Sequence, residues 1–267
     1  MATVVTVQPK AEPVHLDEAK KHLRLETSFT DDDAYVTSLI VAARVYAEQY
    51  TNRKFVDQTI KTTFEEFDCE LRLPAPPTVS VSGITYVDSN GTRQTLATSV
   101  YAADALAEPA VVRLAYNQTW PIYREEANCV QVTHVNGYAS VFTANATTDV
   151  ITAYGRTYTL NDVIRFTNSG GALPAGLSTA TDYYVLTVTN NTFQVSTSQG
   201  GAAVDITGAG TGTHFIGEIP QGIKHAMLLL IGHWYEHREG VVDAGSLSEA
   251  PVAVDALLWM NRIAEVS

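Results

Sequence analysis

Residues 143–217 hold 16 threonines and no lysine, and this stretch stands between a segment that reads as helices then strands and a segment that reads as helix. Threonine is β-branched and suits the pleated, half-buried surface of a strand. The glycine-rich breaks at Gly170-Gly171, Gly200-Gly201 and 208–212 divide the stretch into short alternating runs at 163–167, 182–188, 192–197 and 213–216. It reads as an all-β module. The helical sequence before it (13–52) and after it (219–238) is expected to share one body. The module is then an insertion, which the chain enters after Tyr138 and leaves before Ile219. The expected domains are 1–139 together with 218–267, and 140–217.

Within the body, Pro13 precedes a short helix over 15–25 with an imperfect apolar stripe of Leu16, Ala19, Leu23 and Leu25. The acids Asp31, Asp32 and Asp33 start a second helix, where a negative charge suits the positive end of the dipole. Tyr35, Leu39, Ala42, Ala43, Tyr46 and Tyr50 recur at spacings of three and four and predict one buried face ending near Arg53. Alternation then takes over at 59–64, 79–87, 111–116 and 130–135. Asn90-Gly91 marks a tight turn, and prolines interrupt the run at 71–77. Helix returns after Pro220, with Ala226 to Ile231 apolar on every side and therefore buried. Residues 240–251 read as a small-residue linker and 252–263 as a short terminal helix or tail. The predicted class is α+β: a helical body with a small antiparallel sheet, plus an inserted all-β module.

The net charge of −12, from 29 acidic and 17 basic residues, disfavours a protein that grips nucleic acid by its phosphates. The start lacks a basic, apolar export pattern, and the longest apolar run is too short to cross a bilayer, so no membrane association is expected. Cys69 and Cys129 lack the spacing of a disulfide framework or a thiolate zinc site.

His233, Glu236 and His237 fit the inverted zinc-hydrolase pattern H-x-x-E-H. Two histidines at i and i+4 on a helix can share a metal, with Glu236 as the base. A third ligand would have to be Glu239, Asp243, Glu249, Asp255 or Glu265, none of them on a second rigid helix. The same residues serve equally as the polar last turns of a greasy helix, with His and Arg near its negative end. No phosphate loop, nucleophile elbow or dinucleotide fingerprint is present. The pairs Tyr183-Tyr184 and Trp120/Tyr123 leave open a glycan- or receptor-binding role, although strands bury such residues routinely.

The segment 219–239, IPQGIKHAMLLLIGHWYEHRE, resembles the late helix of head-to-tail connector proteins, or adaptors, of long-tailed bacteriophages. Further matching stretches are LDEAKKHLRL at 16–25, the acid-started helix through Arg53, the L.LP..P break at 71–77 and VDALL at 254–258. The resemblance covers 13–139 and 218–262. The β module is the departure, since compact members lack it, and it looks like β modules that phages append to virion proteins. The resemblance implies a non-enzymatic structural protein without cofactor or metal, in the virion neck after assembly in the host cytoplasm. It implies a homo-oligomeric ring, dodecameric in expectation, that meets the portal protein and tail-side neck proteins (stopper or tail terminator) while genomic DNA passes through. Met227, Leu230, Ile231 and Trp234 are then structural, and the histidine spacing is incidental. The segment 240–267 is expected to be a portal-docking arm, through Val254, Leu257, Leu258 and Ile263, because a short tail cannot bury these side chains on itself.

Overall fold

The computed structural model describes residues 1–238 and 252–263. By contact density the described residues divide into two units: 1–9, 52–138 and 263 in one, and 10–51, 139–238 and 252–262 in the other.

The first unit is built on strands. Its larger sheet has five strands in the order β1-β2-β8-β4-β5: β1 (Ala2–Val7), β2 (Gln58–Phe64), β4 (Thr78–Val87), β5 (Arg93–Thr95) and β8 (Val130–Asn136). A smaller sheet runs β3-β7-β6, from β3 (Leu71–Leu73), β6 (Tyr101–Asp104) and β7 (Ala110–Leu114). Alternation sets the faces: Leu71 and Leu73 are buried while Arg72 between them is exposed and pairs with Glu70. Phe67, Ile84, Leu96, Val112, Val130 and Val132 complete the core.

A polar network runs through the middle of the larger sheet. The fully buried His134 ring meets Thr62 Oγ1 at 2.9 Å through Nε2 and Asn136 Oδ1 through Nδ1. Asn136 Nδ2 in turn donates to the carbonyls of Pro74 (3.1 Å) and Ala75 (2.7 Å), oxygens that the proline turn would otherwise leave unpaired. Strand β1 was not anticipated from the sequence. It pairs antiparallel with β2, and five of its six residues are exposed, so it lacks the half-buried alternation that marks a strand.

The second unit contains the four helices found among the described residues: α1 (Leu16–His22), α2 (Asp33–Thr51), α3 (Gln221–Glu236) and α4 (Val252–Trp259). Helix α3 lies against α1, α2 and α4 and buries Ile223, Ala226, Met227, Leu230 and Ile231, the three-and-four spacing of one helical face. His15 caps α1, its Nδ1 accepting from Asp17 N at 3.2 Å.

The buried Lys20 side chain closes the α1–α2 connection. Its ammonium donates to Thr27 O (3.0 Å), Phe29 O (2.5 Å) and Asp33 Oδ1 (2.8 Å). All three of its protons are used, which is what an ammonium needs in order to lie inside.

The same unit carries a seven-stranded antiparallel sheet in the order β11-β13-β14-β10-β9-β15-β12. Its strands are β9 (Ser140–Asn145), β10 (Val150–Ala153), β11 (Val163–Ile164), β12 (Phe166–Ser169), β13 (Tyr183–Thr189), β14 (Thr192–Ser196) and β15 (Thr213–Ile216). The two edge strands, β11 and β12, are separated in sequence by Arg165 alone, so the sheet curls almost into a barrel. Phe142, Ile151, Phe166, Phe193 and Ile206 fill it. The four runs of the sequence reading fall on five of these strands, because the run at 163–167 is divided at Arg165 into β11 and β12; β9 and β10 do not appear in that reading.

The sheet packs directly on α1. His15 N donates to Ser169 Oγ (2.6 Å), Ser169 donates to Glu18, and Lys224 of α3 meets Glu18 at 3.3 Å. Gly170 has φ +64°, and a Cβ there would stand 2.4 Å from His15 Nδ1, so only glycine fits. Among the described residues no helix is long and apolar enough to cross a membrane.

Candidate functional site

The end of α3 carries the residues that invite a metal-site reading. The rings of His233 and His237 lie one turn apart, 4.7 Å between centroids. His237 Nδ1 sits 2.9 Å from His233 O, so the second imidazole engages the last turn of its own helix. Among the described residues no three His, Cys, Asp or Glu side chains converge to hold a metal ion. Of the candidate third ligands, Glu239, Asp243, Glu249 and Glu265 lie outside the described residues, and Asp255 lies on α4 near Tyr46.

What surrounds the histidines is a clasp between the end of α3 and the start of α2. Tyr235 donates to Asp32 Oδ2 at 2.5 Å, and Arg238 reaches the same oxygen at 2.6 Å. The Arg238 guanidinium also stacks over Tyr35 (4.7 Å) and Tyr235 (4.6 Å). The Tyr235 hydrogen bond, then Arg238, holds the Asp32 carboxyl below the usual range, and the Asp32 hydrogen bond raises the Tyr235 phenol. Trp234 is half-buried and meets Tyr46 edge-on at 6.1 Å, while its carbonyl accepts from Tyr35 OH at 3.2 Å. The acids at 31–33, read as dipole partners, thus have specific work: Asp32 in this clasp and Asp33 with Lys20. The geometry is that of a joint between α2 and α3.

Of the aromatic pairs, Tyr183 is buried with its hydroxyl accepting from Ser178 N at 2.9 Å, and Tyr184 is half-buried. Trp120 and Tyr123 are half-buried, Trp120 stacked on Phe67 at 4.6 Å and Tyr123 edge-on to Phe67 at 5.3 Å.

Of the four residues expected to form a portal-docking arm, the structure turns two inward. Val254 and Leu258 are fully buried, because α4 lays this face against α2 and α3; Leu257 and Ile263 are half-buried. The linker at 240–251 lies outside the described residues. The exposed apolar side chains of this segment are Trp259 (64 % exposed) and Met260 (73 %), which sequence reasoning did not single out. The signal was available: α4 has a single charge, Asp255, and a helix apolar all round needs cover on more than one side. Met227, Leu230 and Ile231 lie in the core as structural residues.

Two hollows in the strand-built unit collect acids. Glu65, Glu66, Glu125 and Glu126 line a cavity of about 410 Å³. Another of about 520 Å³ is bordered by Glu65, Glu66, Asp68 and Glu70 with Arg72.

Three histidines respond to acid in the same sense. Burial lowers His134, His214 and His22 below 6.5, with a smaller contribution from His225 at His22 and from His15 at His214. Their folded forms bind fewer protons than the unfolded chain, so stability is full above about pH 6.5 and falls as pH drops through that value. The melting temperature is expected to decline between about pH 7.5 and 5.5, and His134→Gln should flatten that decline. A profile that is level or rises toward acid would contradict the burial of these neutral rings.

Comparison with known proteins bears out the resemblance read from the residues. Residues 13–76 match the family described as phage gp6-like head-tail connector protein. The chain is similar in fold to a protein in the neck of an empty GTA particle computed with C6 symmetry, at a TM-score of 0.57 and 15% identity, over 100% of this chain and 98% of that one. A chain of the virion of the native gene transfer agent particle gives 0.55 at 17% identity, with 100% and 98% covered. One from the native GTA neck computed with C12 symmetry gives 0.51 at 14%, again over 100% and 98%. These matched spans include the β module. No curated protein matches the chain.

Proposed function

We propose that the chain is a structural neck component, a head-to-tail connector that joins the DNA-filled head of a virion to its tail. The match of residues 13–76 to the connector family carries this reading. The likeness of fold to neck proteins along the whole chain supports it. Copies form a ring beneath the portal, twelve in expectation, with stopper or tail-terminator proteins on the tail side. Neighbours whose necks were computed with C6 and C12 symmetry support a closed assembly. The work is geometric and requires no catalysis. A net charge of −12 suits a passage through which a polyanion slides without sticking.

Portal docking belongs to the C-terminal segment. Because Val254 and Leu258 face inward, the docking side chains are the exposed Trp259 and Met260, with Leu257 and Ile263 beside them in sequence. Large exposed apolar residues of this kind await a partner. The test is co-sedimentation of the full-length chain with purified portal rings of the same particle. The wild type is expected to pellet with the rings, and Trp259→Ser/Met260→Ser to remain in solution with an unchanged circular dichroism spectrum. If the wild type does not bind, the connector reading fails. If both bind alike, docking moves to the loops of residues 88–128.

A further inference from the structure

Helix α2 buries Val36, Leu39, Ile40, Ala43 and Ala47 in the usual way, but it withdraws its charges from the surface as well. Its charged residues are Asp33, Arg44 and Glu48, and none is presented freely to solvent. Asp33 pairs with Lys20; Arg44 is buried, with Nε 2.6 Å from Glu12 and Nη1 3.2 Å from the buried Glu48. The outward face carries Thr37, Ser38, Val41, Ala42, Val45 and Gln49, with Val41 37 % and Val45 39 % exposed. Its hydroxyls are turned back on their own helix: Thr37 donates to Asp33 O and Ser38 to Tyr35 O, both at 2.7 Å. The face therefore has little demand for water, whereas an ordinary surface helix keeps its charges outside and its valines inside.

We propose that this face of α2 is where a neighbouring copy of the same chain packs. The argument for a second copy is electrostatic. Each chain carries a net charge of −12, so identical subunits repel wherever their acids approach. A basic partner would be met by acids, and the outward face of α2 has none. A face about three and a half turns long from which every charge has been withdrawn lets like-charged copies touch without opposing ions across the contact. In a ring the contact is heterologous, so α2 of one copy meets a different face of the next. This inference rests on the oligomeric reading given above and adds the surface that makes the oligomer.

The experiment is sedimentation velocity of the purified full-length chain over a concentration series, beside Val41→Lys and Val41→Glu. Position 41 is exposed enough for either side chain, so melting temperatures should match the wild type. The wild type is expected to pass beyond the dimer. Both variants should associate at least about tenfold more weakly, because either charge would be buried without a partner. Opposite behaviour, with Lys tightening and Glu loosening association, would mean that net charge governs assembly, and would overturn the proposal. Association of both variants at wild-type strength would overturn it too, as would a wild type that is monomeric at every concentration or stops at a dimer. Portal co-sedimentation reads the connector role separately, so failure of one reading is not mistaken for failure of the other.

Discussion

Lys20→Met is expected to lower the unfolding free energy of the helical unit by about 3 kcal/mol, and its melting temperature by about 6 to 12 °C. Methionine keeps the volume of the side chain but leaves Asp33 Oδ1 and the carbonyls of Thr27 and Phe29 without their shared donor. Breaking a buried ion pair by removing one partner typically costs about 3 to 5 kcal/mol. Asp33 retains 31% side-chain exposure and can regain some water, which places the effect at the lower end. Thermal melts followed by circular dichroism would measure it. A shift within about 2 °C would mean that the three contacts contribute little net energy and that the α1–α2 connection is held by apolar packing alone.

The second large effect separates the two readings of the α3 terminus. His233→Gln/His237→Gln should change stability by no more than about 0.5 kcal/mol, since these side chains lie at a polar helix end and Gln can still reach the His233 carbonyl. Trp234→Ala removes the ring that meets Tyr46, and should cost about 3 kcal/mol, the low end for a large aromatic because Trp234 is half-buried. Urea unfolding of the three proteins decides it. A reversed order would mean that the histidines carry a load the clasp of Asp32, Tyr235 and Arg238 does not account for.

Much of the fold was legible because its signals are local. The proline start and the apolar run Ala226 to Ile231 placed α3, although Leu228 and Leu229 of that run are half-buried rather than buried, and the threonine runs between glycine breaks placed β13, β14 and β15. The failures have a common physical cause: partners far away in sequence. The reading of α2 put Ala42 inside, yet it is exposed, while Arg44 and Glu48 are buried. Hydropathy alone assigns a charge to the surface, and it is the pairing with Glu48 and with Glu12, more distant in sequence, that makes the buried Arg44 tolerable. Strand β1 was invisible for the same reason, since its order comes from the β2 ladder and not from a buried face. At the site, the histidine pair was found by its spacing. Its neighbour Asp32 lies some two hundred positions earlier, a distance no local pattern spans. Val254 and Leu258, expected on an exposed arm, are buried because the seat that receives α4 is made by α2 and α3.

Strands β9 and β15 pair with each other, Ser140 opposite Ile216. The module thus begins and ends on one rung of a ladder, two backbone positions roughly 5 Å apart. A flexible loop of that length held at its ends would lose about 4 kcal/mol of chain entropy, and more as it lengthened. Here the module's own hydrogen bonds bring those ends together. Closing the chain of the module thus costs the same whatever its length, while Ser169 and Gly170 tie the sheet to α1. Such a site tolerates growth or shrinkage in the loops between its strands, so long as β9 and β15 still pair and β12 still meets α1.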